Sequence, residues 1–159
     1  MLRNKGGKEQ DIARVQVDVV GVRRWSGNAS KYGELHGNVS PSLEWEDAPE
    51  ATRSFALTLV DIDPTARDYV HWLVADISPK ISSLPEAVSG DRTSAFNEIK
   101  PYIGPFPRSG TRDYEFTLYA LRTDGLGVRH GASLQEFKQA AQRESLAAAT
   151  LIGKFTKIS

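Results

Sequence analysis

Two carboxylates and an imidazole stand where apolar, strand-like sequence stops. Phe55-Ala56-Leu57-Thr58-Leu59-Val60 runs into Asp61-Ile62-Asp63-Pro64, and His71-Trp72 runs into Leu73-Val74-Ala75. A charged group at the end of a buried strand is costly unless it is paired or solvated by a pocket. An acid accepts hydrogen bonds, and an imidazole changes charge near neutral pH. Delivered to neighbouring strand ends, they suit a small polar or ionic ligand held at the rim of a β-structure. Taken alone, the same residues also suit a strand end, a turn cap and a core histidine.

The elements that must position these groups are mostly strands. Val15, Val17 and Val19 alternate with polar neighbours as in a half-buried strand. Strong strands are expected over Ser54–Asp61 and Tyr69–Ile77, and alternation returns over Asp113–Arg122, with Tyr114, Phe116, Leu118 and Ala120 on one face. Residues 1–12 are polar and read as a loose arm, and 21–41 as a long surface excursion rich in Gly, Ser and Asn. Glu86 to Arg112 has little periodicity, as a functional loop would. Ser133 with Glu136 forms a capping box for a helix striped by Leu134, Phe137, Ala141 and Ala148, and a last strand is expected over Thr150–Ile158. Short strands, long loops and one late helix predict a mainly β fold. It is an antiparallel sandwich of two sheets with Greek-key connections, a C-terminal helix and a closing strand.

The chain has 159 residues, enough for one domain over 1–159 with a full core. Lys plus Arg equals Asp plus Glu at 20 each, so no basic field draws nucleic acid or an anionic membrane, and any anion site must be local. No cysteine is present, which removes disulfides, thiolate chemistry and cysteine-bound zinc. Neither a secretory signal nor a stretch of roughly 20 apolar residues occurs, so a soluble cytoplasmic protein without membrane insertion is expected. Asp61, Asp63 and His71 make an incomplete metal set. Ser40-Pro41 lacks the elbow context of a nucleophile. No cofactor is expected.

Three blocks line up along the chain. They are Gly37-Asn38-Val39-Ser40-Pro41-Ser42-Leu43-Glu44-Trp45, then Asp61 to Ile77, then Tyr102-Ile103-Gly104-Pro105-Phe106-Pro107-Arg108-Ser109-Gly110 leading to Tyr114. In order and spacing they resemble the phosphatidylethanolamine-binding protein, or Raf kinase inhibitor-like, family in its bacterial and archaeal branch. The resemblance implies a pocket for phosphate or a phosphoethanolamine-type headgroup at one end of the sandwich. On this chain's numbers the implied ligand-binding set is Asp61, His71, Arg112 and Tyr114, with Asp63, Trp72, Gly104, Pro105 and Gly110 around them. Ile62 stands where the family has a proline, and Arg112-Asp113 where it has His-Arg.

Strand parity puts Arg112 on the face of Tyr114 and turns Asp113 away. Arg112 then either replaces the missing histidine or is the family's arginine shifted by a deletion. The resemblance implies a non-enzymatic binding protein, a modulator of a kinase or protease, with protonated His71 and Arg112 supplying positive charge. The alternative is a hydrolase or metal-assisted phosphoester enzyme using Asp61 and His71. A homodimer is left open.

Overall fold

A computed structural model describes residues 16–18, 24–25 and 27–157. Strands dominate it: β1 (Gln16–Asp18), β2 (Arg24–Trp25), β3 (Leu43–Glu46), β4 (Ser54–Asp61), β5 (Tyr69–Ile77), β6 (Ser83–Leu84), β7 (Asn97–Lys100), β8 (Thr111–Leu121) and β9 (Ser145–Thr156). Among the described residues one α-helix, α1 (Leu134–Arg143), precedes β9. Among the described residues one sheet has the order β1-β3-β6 and the other β2-β9-β8-β4-β5-β7. Pairing is antiparallel except between β2 and β9.

Every residue of β4 is buried because both faces of the large sheet are covered. Phe55, Leu57 and Leu59 face the small sheet, packing with Leu43, Trp45 and Leu84. Ala56 faces the other way, into a second cluster with Leu73, Tyr119, Phe137 and Ala141. The expected strands at Ser54–Asp61 and Tyr69–Ile77 are found with those bounds. The mainly β sandwich with a late helix is therefore the observed fold.

Three local expectations change. First, β9 starts at Ser145, so Ala148 lies on an exposed strand face and not on the helix stripe. Alanine favours helix by a few tenths of a kcal/mol per residue, but eleven register pairs with β8 hold this stretch extended. Second, the aperiodic stretch 86–112 contains β7, whose four residues are too few to show alternation. Third, 21–41 is not all surface, since Tyr32, Gly33, Ser40 and Pro41 are buried. The expected strand is described only over Gln16–Asp18, and Val15, Val19 and the arm 1–12 lie outside the described residues.

Candidate functional site

β4, β5 and β8 are neighbours in the large sheet, and their pairing brings the chemistry together. Asp61, the last residue of β4, faces Tyr114 of β8 on one side and Tyr69 of β5 on the other. His71 arrives by a different device. Leu59 faces Trp72 and Val60 faces Val70, so His71 is the extra residue of a β-bulge. A bulge re-aims a side chain. Trp72 packs in the inter-sheet core and Val70 on the helix side. Strict alternation would send His71 with Val70's neighbours on the helix side, yet its ring meets Tyr114 at 5.2 Å between centroids.

Arg112 Nη1 donates to Asp61 Oδ2 at 3.0 Å, and Nη2 to Thr65 Oγ1 at 3.4 Å. The other oxygen, Asp61 Oδ1, accepts from the Asp63 amide at 2.9 Å. Asp61 is buried while Arg112 keeps part of its surface in solvent, so the pair sits at a mouth. Hydrogen bonding to Asp61 holds the Arg112 guanidinium above its ordinary pKa. Asp113 turns outward, where Lys154 Nζ donates to it at 2.7 Å. Arg112 thus shares the face of Tyr114 and reaches Asp61.

His71 is fully buried. Its Nδ1 is hydrogen-bonded to the Ile103 carbonyl, and its main-chain carbonyl accepts from the Ile103 amide at 2.8 Å. Among the described residues Nε2 has no hydrogen-bond partner. Burial pushes the imidazole below its ordinary pKa, outweighing the Ile103 carbonyl and the charge of Asp61, with Lys100 adding to the depression. The expectation of a protonated His71 is thereby revised: the ring is neutral near pH 7, and Arg112 carries the positive charge. Burial also raises the Tyr114 phenol, which stays protonated and able to donate.

Asp63 lies beside the site and caps a turn at Pro64–Ala66, accepting from the Thr65 amide at 2.9 Å and the Thr65 hydroxyl at 2.6 Å. These bonds lower its pKa. Trp72 is in the core, donating to Glu98 at 2.6 Å. Gly110 is an exposed turn residue before β8. Gly104 and Pro105 shape the loop that holds Ile103. A Cβ on Gly104 would come within 2.0 Å of the Tyr32 carbonyl oxygen. The Gly104 amide donates to Asn38 Oδ1 at 2.7 Å, and Asn38 Nδ2 donates to the Tyr102 carbonyl at 3.3 Å.

Other contributors escaped the sequence reading. Tyr69 and Phe106 cover the imidazole at 4.9 and 5.7 Å between centroids. Both keep roughly two fifths of their surface exposed, so they form a solvent-facing rim. Tyr69 was findable, being two residues before His71 on the strand; Ile103, Thr65 and Phe106 carried no such signal. A cavity of about 310 Å³ adjoins Phe106, lined also by Leu35, Arg108, Phe155 and Lys157. Ser40 Oγ accepts from the Ser89 amide at 3.1 Å. No group of three or more His, Asp or Glu among the described residues is arranged around a metal position. Likewise, no described helix is long and apolar enough to cross a membrane.

The family model for phosphatidylethanolamine-binding proteins matches residues 25–156. The chain is 33% identical over 128 residues to a UPF0098 protein of Methanothermobacter thermautotrophicus, covering 76% of this chain and 84% of that one. It is 30% identical over 130 residues to UPF0098 protein YbhB of Escherichia coli, covering 75% and 82%. Its fold matches the crystal structure of Escherichia coli YbcL, described as a new member of the mammalian PEBP family. The TM-score is 0.80 over 92% of this chain and 100% of that one, at 24% identity.

Proposed function

The chain belongs to the phosphatidylethanolamine-binding protein family, and we propose that it works there as a binding protein for a small phosphate-bearing group. The group is a headgroup or a phosphorylated side chain, taken at the mouth beside Arg112. The supporting observation is convergence from three strands: Arg112 hydrogen-bonds Asp61, the His71 ring meets that of Tyr114, and Asp61 and Tyr114 are register partners across β4 and β8. The planar guanidinium presents a fork of donors suited to tetrahedral oxyanions. Asp61 anchors that fork through Nη1. The Tyr114 phenol donates from the floor, and Tyr69 and Phe106 swing aside to admit the ligand. A protein partner of kinase or protease type meets the site through the exposed rim of Ile62, Tyr69 and Phe106.

Phosphate and phosphoethanolamine are expected to raise the melting temperature. At about 100 times its dissociation constant a ligand stabilises by about 2.7 kcal/mol. Arg112→Ala should abolish the shift, and Arg129→Ala, at an exposed position before α1, should not. No shift at roughly tens of millimolar of either compound would overturn the reading.

A further inference from the structure

Resting on the anion reading above, we propose that the site selects an anion that brings its own proton, the singly charged form of a phosphomonoester, over anions that have none to donate. The Ile103 carbonyl can only accept, so His71 Nδ1 must carry a hydrogen and donate it. In the neutral ring the other nitrogen, Nε2, is then a lone pair. That lone pair is buried and meets no hydrogen-bond partner among the described residues. Histidine is the best-placed group here to decide which protons a ligand must hold, because its tautomer is set from behind by the loop.

The charges acting on the ring are Asp61 on β4 and Lys100 on β7, and the rings of Tyr69 on β5 and Tyr114 on β8 lie against it; Arg112 joins this group through its hydrogen bond to Asp61. Asp61 favours a protonated ring and Lys100 opposes it, while burial outweighs Asp61. The Asp61 carboxylate, whose charge acts on the ring, is a second acceptor, engaged by Arg112 and the Asp63 amide. A ligand therefore meets donors from Arg112 and acceptors from His71 and Asp61. Charged oxygens of the ester take the Arg112 fork, and its P–OH donates to Nε2. The proton remains in that hydrogen bond and no covalent bond changes. An anion without a proton sets an oxygen lone pair against that of Nε2. A site built to hydrogen-bond a hydroxyl rejects an analogue lacking it, because a buried polar group is left unpaired.

Methyl sulfate and singly charged methyl phosphate share shape and charge and differ by this proton. Dimethyl phosphate, also singly charged, stands for a diester lipid headgroup. Calorimetric titration at pH 6, near the second phosphate pKa of an ester, compares the three on the wild type and on His71→Gln. Methyl phosphate should bind at least about tenfold tighter than the other two. In His71→Gln the side-chain amide can turn its NH2 to an unprotonated oxygen, so the ratio to methyl sulfate should fall to about one. Methyl phosphate affinity for the wild type should drop about tenfold per unit as pH rises from about 7 to 8. Methyl sulfate binding within about twofold of methyl phosphate overturns proton selection and leaves the anion reading intact. Dimethyl phosphate binding as tightly does the same and assigns the site to lipid headgroups. If none of the three binds, the anion reading fails and this proposal with it.

Discussion

Arg112 and His71 divide the work of the site by how each is buried. Arg112 reaches solvent and holds a permanent charge, whereas His71 is enclosed and neutral. Removing the arginine leaves the buried Asp61 without its cation. Arg112→Ala is expected to lose about 1–2 kcal/mol of stability in urea denaturation, with Arg112→Lys recovering part of the loss but not the fork. His71 predicts a pH dependence whose sign follows from its lowered pKa. In the unfolded chain the imidazole protonates near the ordinary value of 6.5, while in the folded protein it does so only at lower pH. Protons then bind the unfolded state preferentially. The stability His71 contributes is present above pH 6.5 and is lost as pH falls through the folded value. Thermal melts from pH 7.5 to 5 should show this decline, and His71→Gln should flatten it. An equal decline in both proteins would mean that other groups cause it.

The decisive elements are the bulge in β5 and the loop after β7, since together they aim His71 and fix its tautomer. The loop depends on Gly104, where the backbone lies against the Tyr32 carbonyl. Gly104→Ala should cost about 3 kcal/mol or more and weaken phosphate binding by moving Ile103, which differential scanning calorimetry and titration would register together. Before β5 the chain takes two consecutive left-handed residues, Arg67 at φ 51° and Asp68 at φ 55°. Such a conformation costs a side-chain-bearing residue roughly 1 kcal/mol. Arg67→Gly should therefore raise stability by up to about 1 kcal/mol, checked by the urea midpoint. The helix start was readable from sequence: the Ser133–Glu136 capping box is formed in both directions. Ser133→Ala should lose about 1 kcal/mol and Ser133→Gly only a few tenths.

For the molecule as a whole, the large sheet is sandwiched between the small sheet and α1, so its strands carry two cores. Twenty basic and twenty acidic residues cancel, leaving no long-range field to gather polyanions. Fluorescence titration with duplex DNA near 0.15 M salt should show no binding. Saturable binding there would contradict a locally built anion site.

The sandwich class, the bounds of β4 and β5, the helix cap and the face shared by Arg112 and Tyr114 could all be read from residue type and spacing. They are local: apolar runs, a two-residue period and a short capping pattern each report on a few neighbours in the chain. The turning of His71 toward Tyr114, the Ile103 carbonyl that sets its tautomer and the aromatic cover from Phe106 could not. Each depends on register between strands and on contacts dozens of residues apart, where one extra residue in a ladder reverses a side chain's face. The neutrality of His71 belongs to the same group, because burial is a property of the packed whole.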